Sequence, residues 1–123
     1  MENHPLLMVL IFLGAAALLG LYLISRYFRR LPRQNLIMMI HGFLAAAGVG
    51  TLFFHSAFSP NTEIPYASLF FFIVAIFSGI LMAIWDKIMN RQMPQLFPLV
   101  HAGAAVTGLA LLVMFIIKHQ QPL

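Results

Sequence analysis

The sequence predicts an all-α membrane protein, a bundle of four transmembrane helices running up-down-up-down in a single domain. Of its 123 residues, 62% are hydrophobic and 8% are charged, whereas a soluble domain is about 45–50% apolar and about 25% charged. Four apolar runs each approach the roughly 20 residues that a spanning helix needs. They lie at about 6–24, 36–58, 64–84 and 96–117. All seven prolines lie outside these runs or at their ends, where a missing N–H breaks no helical hydrogen bond.

The first two runs form the first half of the predicted bundle. We expect run one to be a retained helix, because no Lys or Arg precedes it as in a signal peptide. Its Ala16 and Gly20 allow close helix approach, and the basic, aromatic segment 26–30 anchors its end at the membrane interface. The second run carries His41 and His55, an ionisable side chain near each end.

The last two runs form the second half. The third has small residues at four-residue spacing, Ala75 and Gly79, and reaches the interface at Trp85. The fourth begins near Pro94 or Pro98, which suits the first turn of a helix.

The two halves resemble each other. His41 and Gly48 are seven residues apart, as are His101 and Gly108, and the pairs are offset by 60 residues. Two copies of one helical hairpin in parallel orientation explain this likeness, although chance similarity between helices rich in small residues is the simpler alternative. The copies span about 5–58 and 64–118. The repeat predicts that His41 and His101 lie at matching depth.

The basic residues predict the orientation of the helices. Six of the seven fall in the first and third connections: Arg26, Arg29, Arg30, Arg33, Lys87 and Arg91. By the positive-inside rule this side is cytoplasmic, which puts both termini outside a bacterial-type inner membrane. Basic loops that anchor to anionic lipid would give the same pattern. The net charge of +4 therefore indicates lipid, not nucleic acid.

The histidines are the candidate functional residues. Ionisable groups inside apolar helices are costly and face the bundle interior. The chain has no cysteine, which excludes thiolate and iron–sulfur sites. Zinc or iron held by side chains alone normally takes three or four ligands, whereas haem needs only axial ligands. We therefore expect haem b at His41 and His101. The further candidate cofactor contacts are Ala45, Gly48, Ala104, Gly108, Arg33 and Arg91, the arginines for the propionates.

A histidine, thirteen residues and a second histidine on one spanning helix resembles the ligand helix of transmembrane di-haem b-type cytochromes, of the quinol-oxidising and ferric-reductase kinds. The resemblance implies a four-helix core with haems stacked across the membrane. His41, His55 and His101 match that pattern. The fourth helix departs from it, because Phe115 stands fourteen residues after His101. The partner of His55 in a second metal site is left open between His119, His4 at the outer end of the first helix, and none.

The expected function is electron transfer by a small membrane cytochrome with one haem, a second being left open. Its expected partners are membrane lipid, quinone, a redox partner protein or larger complex, and a second copy of the chain. Whether it is an enzyme in its own right is left open. The alternatives are a cofactor-free structural subunit of a membrane complex and a small transporter or proton relay that uses histidine.

Overall fold

Four long helices make up the computed structural model, which describes residues 4–32, 34–58, 63–89 and 93–119, without the side chains of 4, 5, 86, 87 and 119. The helices are α1 (His4–Phe28), α2 (Asn35–Phe58), α3 (Tyr66–Met89) and α4 (Leu96–His119). All four are long and apolar enough to span a bilayer, and no strand occurs in the described ranges. The prediction of a four-helix membrane bundle is confirmed.

Two helices run further than their apolar runs. Helix α1 continues into the basic segment 26–30 and ends there at Phe28, and α3 continues past Trp85 to Met89. Hydropathy marks the apolar layer, whereas a helix ends where its last carbonyls find other partners. At the starts of α3 and α4, Pro65 precedes the first residue and Pro98 lies in the first turn, as their missing N–H groups allow.

Helix α1 ends in a motif that usually contains glycine. The Leu31 N–H donates to the Arg26 carbonyl and the Arg30 N–H donates to the Tyr27 carbonyl, both at 3.0 Å. These bonds form a Schellman cap, and Arg30 adopts its left-handed conformation with φ of 59°. The Arg26 guanidinium Nη2 also donates to the Pro32 carbonyl at 2.9 Å. The cap and this bond turn the chain sharply into α2.

The helices are arranged as two tight hairpins. Contacts are dense between α1 and α2 and between α3 and α4, and far fewer join α1 to α4 or α2 to α3. This pattern puts α2 and α4 on one diagonal of the bundle. One bond between the hairpins runs from the Tyr27 hydroxyl to the Met93 carbonyl, at 2.6 Å. The seam between the hairpins is thus the more loosely packed interface.

Large buried side chains concentrate in one half of the bundle, which we call the filled half. It contains the starts of α1 and α3 and the ends of α2 and α4. Its core consists of Leu6, Val9, Leu13, Val49, Leu52, Leu69, Phe72, Leu112 and Ile116. The opposite half, which contains His41 and His101 and which we call the histidine half, buries mainly alanines in its described part, with Met93 and Pro98 near its end. Dense packing therefore stops near the level of the histidines.

Burial repeats between the hairpins. Leu52 and Leu112, which are 60 residues apart, are both fully buried, and Ala16 and Ala75, which are 59 apart, are buried at 3% and 7% exposure. These two pairs of equivalent positions are therefore buried to a similar degree.

The outer surface of the bundle is apolar. Phe43 on α2 is 74% exposed and Leu18 on α1 is 71% exposed. A soluble monomer rarely exposes extended apolar surface, whereas lipid solvates it. With four helices of spanning length, the chain is a multi-pass membrane protein.

One glycine in each hairpin permits the close helix contact. A Cβ added to Gly48 would lie 2.7 Å from Leu13 Cδ2, and one added to Gly108 would lie 2.9 Å from Phe72 Cδ1. Both neighbours belong to the filled half, and both glycines are buried. In each hairpin the first helix thus packs directly on the backbone of the second.

Gly48→Ala or Gly108→Ala should lower the free energy of unfolding in detergent by about 1–3 kcal/mol, because each overfills a packed contact. Gly50→Ala and Gly103→Ala are the matched controls, since neither glycine has a neighbour within 4 Å of an added Cβ. They should leave stability unchanged or raise it by about 0.5–1 kcal/mol. Equal losses in all four variants would refute this packing model.

Candidate functional site

The His41 side chain points from α2 toward α1. Its Nδ1 lies 2.7 Å from the Ala16 carbonyl oxygen. Since a carbonyl can only accept, Nδ1–H is the donor. A Cβ added to Gly20 would lie 2.9 Å from His41 Cε1, so the absent side chain of Gly20 makes room for the ring. His41 is half-buried.

His101 repeats this arrangement in the second hairpin. Its Nδ1–H donates to the Ala75 carbonyl of α3 at 2.8 Å. A Cβ added to Gly79 would lie 3.1 Å from His101 Cε1. The Ser78 hydroxyl lies 3.1 Å from the same nitrogen and donates to the Ala75 carbonyl at 3.0 Å. The first hairpin has Leu19 at the position equivalent to Ser78, so this hydroxyl distinguishes the two histidines.

The two imidazoles meet across the diagonal of the bundle. Their ring centroids are 6.1 Å apart and their planes are inclined at 76°. They belong to α2 and α4, which lie on opposite corners, so the rings reach across the seam between the hairpins. The structure therefore brings together the two histidines that the internal repeat predicts at one depth.

The hydrogen bonds determine the tautomer of both rings. With the proton of each neutral imidazole on Nδ1, the lone pair is on Nε2. A backbone carbonyl that binds Nδ1–H also orients the ring and raises its basicity toward a metal. In both imidazoles the Nε2 lone pair is therefore the one available to a metal ion or a hydrogen-bond donor.

The predicted small residues lie in different surroundings. The space beside Gly48, a candidate cofactor contact, is filled by Leu13 and Phe12 of α1, and that beside Gly108 is filled by Phe72 and Phe71 of α3. The reason is that the stripe shared by each histidine and its glycine faces the neighbouring helix of its own hairpin. These glycines are thus helix-packing residues here, and their role beside a cofactor stays a prediction.

Ala45 and Ala104 follow the histidines by about one turn on α2 and α4, and both are at least partly buried. They lie at the level where dense core packing ends. Arg33 and Arg91, expected near the propionates, and the side chain of His119 lie outside the described residues.

His55 lies in a different part of the bundle. It is half-buried in the last turn of α2, at the end of the bundle that contains the filled half. Close to its level, Leu52 and Leu112 have no exposed surface. No group of three or more His, Cys, Asp or Glu in the described part of the chain is arranged to hold a metal ion.

The immediate neighbours of the imidazoles are not apparent from the sequence. It predicts Gly20 and Gly79 only as small residues that allow close helix approach, whereas they lie against the rings. The acceptor carbonyls of Ala16 and Ala75 and the Ser78 hydroxyl are likewise identified only by the structure. The 59-residue offset shared by Gly20 and Gly79 was the available signal, because it matches the 60-residue offset of the histidines.

Gly20→Ala and Gly79→Ala should each displace the adjacent imidazole and weaken its bond to the carbonyl, a loss of about 0.5–1.5 kcal/mol. NMR spectra of ¹⁵N-labelled histidine report this hydrogen bond directly, through the signals of Nδ1 and its proton. Gly14→Ala, with nothing within 4 Å of the added Cβ, is the control and should leave these signals unchanged. Unaltered imidazole signals in all three variants would contradict the geometry.

Comparisons with known proteins identify no relative of this chain. No family model matches it, and neither a curated protein nor a solved structure matches it. The chemistry of the imidazole pair is therefore the basis for a functional proposal.

Proposed function

We propose that this protein is a small membrane-embedded b-type cytochrome that carries electrons through one haem held by His41 and His101. The observation that carries the proposal is the imidazole pair. Two half-buried rings from opposite helices meet edge-on with their centroids 6.1 Å apart, and each has its Nδ1–H bound to a backbone carbonyl. Ionisable groups within a membrane bundle are functional by default.

The spacing of the rings fits a shared metal. With metal–nitrogen bonds of about 2.0–2.1 Å, two imidazoles on opposite sides of one ion have their centres about 6 Å apart. Gly20 and Gly79 admit the two rings to these positions, since a Cβ at either glycine would press on Cε1 of the imidazole. The donor set also fits, because two neutral nitrogens without a thiolate match a b-type haem.

The seam between the hairpins supports the same ligand. A flat group held by the two imidazoles would lie in this seam, where α1 and α2 share few contacts with α3 and α4. It would leave intact the tight packing within each hairpin. The filled half can hold the hairpins together beyond the site, through Leu52, Leu112 and Phe72.

The residues suggest electron transfer instead of oxygen chemistry. A haem bound by two histidines supplies one-electron redox chemistry and leaves no coordination position open. The chain's own residues orient the two imidazoles and exclude water from them. We propose quinol or a redox protein in a larger complex as the partner, an electron carrier instead of a self-contained enzyme, and an inner membrane location with both termini outside.

Protein purified from haem-replete cells should show a sharp Soret band and split α and β bands on reduction. His41→Ala and His101→Ala should each abolish the low-spin spectrum, because one axial ligand is lost. His55→Ala is the control and should retain the spectrum, since His55 lies at the end of the bundle that contains the filled half and not with His41 and His101. Circular dichroism would verify helix content in each variant. A colourless wild-type preparation would rule out the cytochrome proposal.

The pyridine haemochrome assay should yield one haem per chain. The physical reason is that Leu52 and Leu112, fully buried near the level of His55, occupy the space that a second haem needs. Removing two such side chains costs several kcal/mol. Two haems per chain, with one lost in His55→Ala, would contradict this stoichiometry and leave the His41 and His101 site in place.

A further inference from the structure

A buried indole N–H lies in the histidine half without a hydrogen-bond acceptor among the described residues. It is Nε1 of Trp85, near the end of α3. The Trp85 ring packs edge-on against Phe97 of α4, with centroids 5.0 Å apart. Buried donors almost always have partners, and each exception requires an explanation.

The helix geometry relates this indole to the imidazole pair. Seven residues separate Ser78 from Trp85, which is two turns, or about 10.5 Å, on nearly the same face of α3. Ser78 contacts His101 Nδ1. On α4, Phe97 precedes His101 by one turn. The indole therefore lies two turns from the level of Ser78, toward the connection between α3 and α4.

The equivalent position in the first hairpin has a satisfied donor. Arg26 is 59 residues before Trp85, the offset that also relates Gly20 to Gly79. The Arg26 guanidinium donates to the Pro32 carbonyl through Nη2 at 2.9 Å and Nε at 3.3 Å. Both hairpins thus have an N–H donor at this level, and in the described structure only the donor of the first has an acceptor.

We infer that the Trp85 indole N–H donates to a carboxylate of the bound haem, and so orients the acidic edge of the ring toward the connections within the hairpins. This inference rests on the proposed function. A carboxylate is favoured because a charged acceptor forms the stronger bond to a buried donor. Arg26, Arg29 and Arg30 lie at the same end of the bundle and favour negative charge there.

The test is a cycle that combines one protein change with one ligand change. Full-length protein from haem-depleted cells, wild type or Trp85→Phe, is titrated in detergent with haemin or haemin dimethyl ester, and Soret absorbance reports binding. Trp85→Phe keeps an aromatic ring against Phe97 and removes the N–H donor together with part of the bicyclic ring. We expect it to weaken haemin binding about tenfold and ester binding much less. Comparing the two ligands cancels the general effect of the smaller ring on the site, and comparing the two proteins cancels the general effect of esterification.

The control variant is Tyr22→Phe, which removes an exposed hydroxyl at the same end, bonded to Gln34 Oε1 at 3.1 Å. It should change both affinities equally. The inference is overturned if Trp85→Phe weakens the binding of both ligands by the same factor, or if it weakens the binding of neither. Failure of the proposed function looks different, because the wild type would then give no Soret shift with either ligand.

Discussion

The structure depends on the need to satisfy the polar atoms of two imidazoles inside an apolar bundle. No water is available in the lipid interior, so each Nδ1–H must find an acceptor in the protein. The carbonyls of Ala16 and Ala75 can accept these bonds because a helix carbonyl keeps a second lone pair after it has formed its own helical hydrogen bond. A ring reaches those carbonyls only if the neighbouring helix has no side chain in the way. Gly20 and Gly79 meet that requirement.

This requirement divides the bundle into two parts with different roles. The filled half buries Leu52, Leu112 and Phe72 almost completely and holds the hairpins together. The histidine half buries small side chains and contains the two oriented imidazoles. The proposed cofactor would displace little of the core there. Core packing and the candidate site thus lie at different levels of the same four helices.

Much of this arrangement could be predicted from the sequence. Apolar runs of spanning length and the position of proline indicate the four helices. The 60-residue offset between His41 and His101 indicates that they share a depth. The end of α1 could not be read in this way, because its Schellman cap has Arg30 where glycine is usual. The surroundings of Gly48 could not be read either, since a small face that admits a cofactor looks the same as one that admits Leu13.

The sequence by itself determined the class of the protein, the number of helices and the candidate functional residues, because hydropathy and helical period are local properties of the chain. Only the tertiary structure decided that α2 and α4 lie on a diagonal and that their imidazoles approach to 6.1 Å. It also decided that each ring donates to the backbone of its neighbouring helix. These features depend on how side chains of different helices interlock, and the spacing of residues along one chain does not encode that directly.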